Sequence, residues 1–191
     1  MKTSLKILPT DALILVDVQK DFLPDGALGV PNGDKILPVL NKATELFHQA
    51  HCPIYASRDW HPANHCSFVE QNGPWPSHCV QETAGAEFAE VLHLPKETIV
   101  ISKADTPSKD AYSAFQETAL TDMLSRAGIK RIIVAGLATD YCVKATVLDA
   151  RKAGFDVLVI EDGIAAVNIN PQDGAQAIKD MQNAGAQFIS L

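Results

Sequence analysis

The chain has 191 residues, 47% of them hydrophobic and 20% charged, with a formal net charge of −7. That is the composition of one soluble domain, long enough to bury a full core without disulfide or metal staples. The acidic balance argues against nucleic acid or an anionic membrane as partner, and no apolar run reaches the length of a membrane span.

The N-terminal stretch "MKTSLKILPTDALILVDVQ" starts like a leader, but Asp11 and Asp17 cut its apolar segment short. Without a leader, Cys52, Cys66, Cys79 and Cys142 read as reduced thiols, and the expected compartment is the cytoplasm. The first strand is expected over about residues 12–17. A helix follows from Asp34, read as its N-cap, with Pro38 in the first turn and apolar residues from Ile36 to Ala50 on a 3.6-residue period. Strands are expected near 53–57 and 98–102. Between them, residues 59–97 are rich in His, Pro, Asn and Trp, with a helical hint only at Ala84–Leu92. A connection that long is usually functional, and it reads as a loop insertion within a single domain spanning 1–191.

A second irregular stretch, "KADTPSKDAYSAF", leads to a helix ending near Gly128. A strand at 131–135, a helix from Asp140 to Gly154 and a strand at 155–160 follow. The last helix has Asn170 as N-cap, Pro171 at its first position and Gly185 past its end, and a strand at 187–190 closes the chain. The alternation predicts an α/β fold: a doubly wound, mostly parallel six-stranded sheet with helices on both faces and right-handed crossovers.

Four of these strands run into residues that can do chemistry: Asp17, Asp59 with His61, Lys103 and Cys142. Ligands of such sheets bind outside the carboxyl ends of the strands, so these groups are expected in one crevice. Cys142 stands at the start of a helix, where unpaired amides and the dipole should lower its pKa below about 8.5; a small buried core residue is the plainer alternative. Gly136 permits a tight strand-to-helix turn. Asp17, at the end of an apolar strand, is expected to be desolvated and raised in pKa for acid or base duty. A lysine near the cysteine would favour the thiolate and orient a carboxylate.

Asp59, His61, His65 and His78 form a set of metal-ligand types within the long loop. One carboxylate with two imidazoles suits Zn²⁺, Fe²⁺ or Mn²⁺ and leaves coordination positions open. Asp59, His61 and His78 are assigned as ligands of one divalent ion, with His65 a candidate fourth ligand or neighbour. A closed structural zinc site drawing on Cys66 and Cys79 competes, but no C-x-x-C pair supports it.

With these residues in hand, the sequence resembles the nicotinamidase/pyrazinamidase branch of the isochorismatase-like cysteine hydrolases. The matching segments run almost end to end: "LILVDVQKDFLPDGAL", "ASRDWHPANHCSF", "GPWPSHCVQETAGAEF", "ISKADTPSKDAYSAF" and "VAGLATDYCVKATVLDA". The resemblance implies a catalytic triad of Asp17, Lys103 and Cys142 and metal ligation by Asp59, His61 and His78, with His65 ligating in some members only. It implies a substrate pocket lined by Phe22, Trp75 and Tyr112, and a cis Leu137–Ala138 peptide that aims the Ala138 and Cys142 N–H groups at an oxyanion. The implied reaction is hydrolysis of nicotinamide to nicotinate and ammonia through a cysteine thioester, with pyrazinamide as a second substrate and pyridine-nucleotide salvage as the setting. Two other readings stay open: another small-amide or ureido hydrolase of the same superfamily, and a zinc-stabilised binding protein without turnover. The sequence leaves oligomerisation open.

Overall fold

A computed structural model describes residues 5–191; the first four residues, where the leader-like stretch begins, lie outside the described residues. Six strands, β1 (Asp11–Val16), β2 (Ile54–Asp59), β3 (Ile99–Lys103), β4 (Arg131–Leu137), β5 (Asp156–Ala165) and β6 (Gln187–Ile189), form one sheet in the order β3-β2-β1-β4-β5-β6. Every ladder is parallel. All six residues of β1 are buried, because it lies between β2 and β4 with a helical layer on each face.

Period-two alternation sends the β1 side chains to two cores. Leu13 and Leu15 pack with Leu37, Leu40 and Phe47 of helix α1 (Leu37–Gln49). Ala12, Ile14 and Val16 pack on the other face with α2 (Leu120–Arg126), α3 (Lys144–Lys152) and α4 (Asp173–Asn183), through Leu120, Leu124, Val147 and Met181. The chain winds outward from β1 to β3 and then returns to the other side of β1 with β4. Strand order therefore reverses between β1 and β4, and a crevice opens there at the carboxyl ends.

Local differences from expectation have identifiable causes. Asp34 lies inside a 3₁₀ turn, Gly33–Ile36, rather than at the N-cap of α1; Pro38 does fall in the first turn. The helical hint at Ala84–Leu92 is a single 3₁₀ turn, Ala84–Ala86, after which Ala89 and Leu92 drop into the α1-side core. Those apolar residues anchor the insertion instead of forming a helix face. Strand β5 runs on to Ala165. Helix α4 starts at Asp173, preceded by a turn in which Asn170 and Asp173 exchange backbone and side-chain hydrogen bonds. Among the described residues, no helix is long and apolar enough to cross a membrane.

The acid that interrupts the first apolar run is satisfied at the far end of the sheet. Asp11 is fully buried and pairs in register with Arg131, whose guanidinium holds both carboxylate oxygens. At the opposite end, Gly136 has φ +126, and a Cβ there would stand 2.2 Å from the Val16 carbonyl oxygen. Glycine is what lets β4 lie against β1 where the crevice opens. Gly136→Ala is therefore expected to lower unfolding stability by about 2–4 kcal/mol, read as a drop in urea midpoint at unchanged slope.

Candidate active site

Sheet register brings the chemical groups level. Val16 pairs with Ser57 on one side and Gly136 on the other, and Asp59 pairs with Lys103. Asp17 leaves β1 with φ 48, turning the chain at the crevice. Beyond β4 and a cis Leu137–Ala138 peptide, a π turn, Thr139–Val143, carries Cys142. Asp17, Asp59, Lys103 and Cys142 are all buried.

Lys103 is the hub. Its Nζ lies 3.0 Å from Asp17 Oδ2, donates to Asp59 Oδ1 and to the Ala111 carbonyl at 3.1 Å, and reaches Cys142 Sγ at 3.5 Å. Burial alone would push this ammonium toward losing its proton, but Asp17, Asp59 and Cys142 outweigh it and hold the pKa well above the usual lysine value. Asp17 is raised, as expected, chiefly by burial, with Lys103 pulling the other way. Its Oδ1 accepts the Ser57 hydroxyl at 2.7 Å, while Oδ2 is ion-paired yet accepts no well-aligned hydrogen bond. A carboxylate oxygen of Asp17 also lies within 4.8 Å of the thiol sulfur.

The thiol corrects an expectation. Burial pushes Cys142 well above its ordinary pKa rather than below it; Lys103 opposes that shift without reversing it. Burial is the largest cause, with Asp17 and Asp59 adding to it, and a carboxylate and a cation stand beside the sulfur.

Asp59 belongs to a second cluster, its carboxylate lying with the ring nitrogens of His61 and His78 inside a 4.8 Å sphere. His61 Nδ1 is 3.2 Å from the Ala104 carbonyl and His78 Nδ1 is 2.7 Å from the Pro76 carbonyl. A carbonyl can only accept, so each Nδ1 carries the proton and each Nε2 presents a lone pair. His61 Nε2 faces Asp59 Oδ2 at 3.6 Å. Burial would raise the Asp59 pKa, but the Lys103 ammonium overcomes it and holds the carboxyl well below the usual range. Two lone pairs and an anion converging in a buried place repel one another unless a cation lies between them. The donor set fits a divalent ion of the borderline class.

His65 stacks on His61 with centroids 4.2 Å apart, but both its nitrogens are engaged: Nε2 with the Lys109 carbonyl at 3.0 Å and Nδ1 with Ser67 Oγ at 2.8 Å. It lies beside the cluster and outside it. Neither Cys66 nor Cys79 joins the ligand groups found among the described residues, and all four cysteines are free.

One pocket opens onto both clusters, lined by Phe22, Trp75, Tyr112, Tyr141, Asp110 and Val167 as well as Cys142, His61 and His78. Trp75 Nε1 donates to Tyr112 Oη at 2.9 Å, and Tyr141 meets Trp75 edge to face. Phe22, Trp75 and Tyr112, taken from the resemblance, all line this pocket. Sequence reasoning missed Tyr141, although it immediately precedes the thiol. It also missed Gln19, a fully buried amide that accepts from the Asp59 N–H at 2.7 Å and donates to the carbonyls of Asp59 at 2.8 Å and Ala86 at 2.9 Å. Asp140 was read only as a helix start. Its carboxylate accepts the N–H groups of Val167 and Asn168, tying the Cys142 turn to the pocket wall. The signal in each case was a polar residue one or two positions from a chemical one.

Fold and site define a class: an α/β protein in which a thiol, a carboxylate and an ammonium meet at the switch point of a parallel sheet. Residues 11–191 match the isochorismatase domain model. A nicotinamidase of Escherichia coli is 44% identical, with 96% of each chain covered. A crystal structure of a Pyrococcus horikoshii pyrazinamidase in complex with zinc superposes with a TM-score of 0.92 at 48% identity, covering 96% of this chain and 100% of that one. An L. infantum structure in complex with nicotinate gives 0.90 at 38% identity, covering 97% and 96%. The chain belongs to the isochorismatase family.

Replacing Gln19 by Leu removes three buried hydrogen bonds at similar size. It is expected to cost about 2–4 kcal/mol of stability, against less than about 0.5 kcal/mol for the same change at exposed Gln176, both read by urea unfolding.

Proposed function

We propose that this protein is a nicotinamidase, converting nicotinamide and water to nicotinate and ammonia, and acting on pyrazinamide by the same route. The observation that carries the reading is the buried contact of Lys103 with Asp17, Asp59 and Cys142, opening into the same aromatic pocket as the Asp59–His61–His78 cluster. The relatives support it: one is a nicotinamidase, one a pyrazinamidase crystallised with zinc, and one holds nicotinate.

In this reading Asp17 is the base, its carboxylate taking the Cys142 proton as the sulfur attacks the carboxamide carbon. The thiol's raised pKa makes that proton costly to remove, and Lys103, 3.5 Å from the sulfur, compensates the charge as it forms. The Ala138 and Cys142 N–H groups meet the oxyanion. Asp17 then returns the proton to the amide nitrogen, the C–N bond breaks and ammonia leaves, with the acyl group on sulfur. A water gives a proton to Asp17 while its oxygen attacks the thioester carbon. The C–S bond breaks, the proton returns to sulfur, and the acid leaves, ionising to nicotinate. Lys103 stays an ammonium throughout.

Asp59, His61 and His78 would hold one divalent ion, with Zn²⁺, Fe²⁺ and Mn²⁺ all compatible with the donors. Bound there, it would supply Lewis acidity toward the lone pair of the pyridine nitrogen. Phe22 and Trp75 flank the ring, and the carboxamide is carried over Cys142.

The direct test follows ammonia released from nicotinamide. Cys142→Ala is expected to lower the rate by at least about 10³-fold while circular dichroism stays that of wild type. A chelator should lower the wild-type rate and an added divalent ion restore it. Full activity in Cys142→Ala would end the covalent mechanism, and faster turnover of an N-carbamoyl compound than of nicotinamide would favour a ureido hydrolase.

Benzamide matches nicotinamide in shape but lacks the ring nitrogen. Its kcat/KM is expected at least about tenfold lower, and equal values would remove the ring-nitrogen role of the ion.

A further inference from the structure

Asp110 lines the pocket that holds Cys142 and is exposed, which places its carboxylate where the pocket meets water. Among the described residues no cation pairs with it. Its neighbour Lys109 is bonded to Glu117 at 2.8 Å, and Lys103 is committed to Asp17 and Asp59. The backbone on both sides of it is pinned to the site. His65 Nε2 donates to the Lys109 carbonyl at 3.0 Å, Lys103 Nζ donates to the Ala111 carbonyl at 3.1 Å, and Asp110 Oδ1 itself accepts the Ala111 N–H at 2.9 Å. A carboxylate without a paired cation therefore stands at the rim on tethered backbone, an arrangement the triad and the ligand cluster do not require.

The reaction inferred above turns a neutral amide into an anion inside this pocket. With Asp17 and Asp59 ionised and Lys103 protonated, a divalent ion among Asp59, His61 and His78 would leave the buried groups with one net positive charge. Such a site would attract its own product. A fixed carboxylate at the rim offsets that charge and repels an anion, while leaving a neutral ligand of the same shape nearly untouched. We propose that Asp110 is a specificity-determining residue that disfavours carboxylates, speeding departure of the acid and discriminating amide from acid.

The proposal rests on the nicotinamidase reading, and its test separates the two. Binding of nicotinate and of neutral 3-pyridylmethanol is measured by calorimetry on the metal-loaded protein, for wild type, Asp110→Asn and Asp110→Glu, at low and high salt. One unpaired charge near solvent is worth roughly threefold in affinity at moderate salt. Asp110→Asn is expected to bind nicotinate about threefold tighter relative to 3-pyridylmethanol, with the difference shrinking at high salt and Asp110→Glu behaving as wild type. An unchanged ratio, or equal tightening of both ligands, overturns the gate while ammonia release from nicotinamide leaves the enzyme reading intact. Failure of wild type to bind either ligand or to release ammonia overturns both.

Discussion

The buried ammonium of Lys103 is the group around which the site is built. An isolated charge at that depth would cost several kcal/mol, and it is tolerated because two carboxylates, a carbonyl and a sulfur enclose it. Those partners come from the ends of two strands, β1 and β2, and from the segments after β3 and β4. The ion pair can form only if the sheet keeps its register, so the charge ties the geometry of the chemistry to the correctness of the fold. Asp17 and Cys142 share the cation, so the proton transfer proposed between them takes place beside a compensating charge.

Asp59 joins two problems in electrostatics. On one side its oxygen meets the Lys103 ammonium; on the other it faces two imidazole lone pairs whose tautomers are set by backbone carbonyls. The first cluster carries its own cation, and the second offers a donor set that one would fit. A single carboxylate thus couples the proton-transfer groups to the place where the substrate ring would be oriented. Its backbone is held from both sides by the Gln19 amide.

The long insertion is shaped by the same economy of buried polar groups. It brings His61 and His78 together through a bridge between His61 and Val80, and Asp21 accepts the Cys79 N–H at 2.7 Å. Cys79, Ala86, Ala89 and Leu92 sink into the α1-side core, so an irregular segment is anchored by packing in place of regular structure. A loop anchored in this way can hold ligand atoms to the tolerance that binding requires.

The sequence by itself determined the layers, the mostly parallel six-stranded sheet and the convergence of chemistry at the carboxyl edge. Apolar runs of period two and helical stripes of period 3.6 are local consequences of burial, and Asp17, Asp59, Lys103 and Cys142 stand where those runs stop. It did not reveal the Gln19 clasp, the Asp140 tie to the Val167 wall, Tyr141 in the pocket or Asp110 at its rim, because each depends on a partner from another strand or loop. The same holds for the thiol. Its place at a helix start suggested a lowered pKa, whereas burial, a property of the assembled interior, drives it up. His65 shows the division most plainly: its identity as a ligand type is written in the chain, but only the folded positions of Ser67 and the Lys109 carbonyl decide where its two nitrogens are engaged. Local pattern specifies which residues are offered to the site, and long-range hydrogen bonding and desolvation specify what state each is in when it arrives.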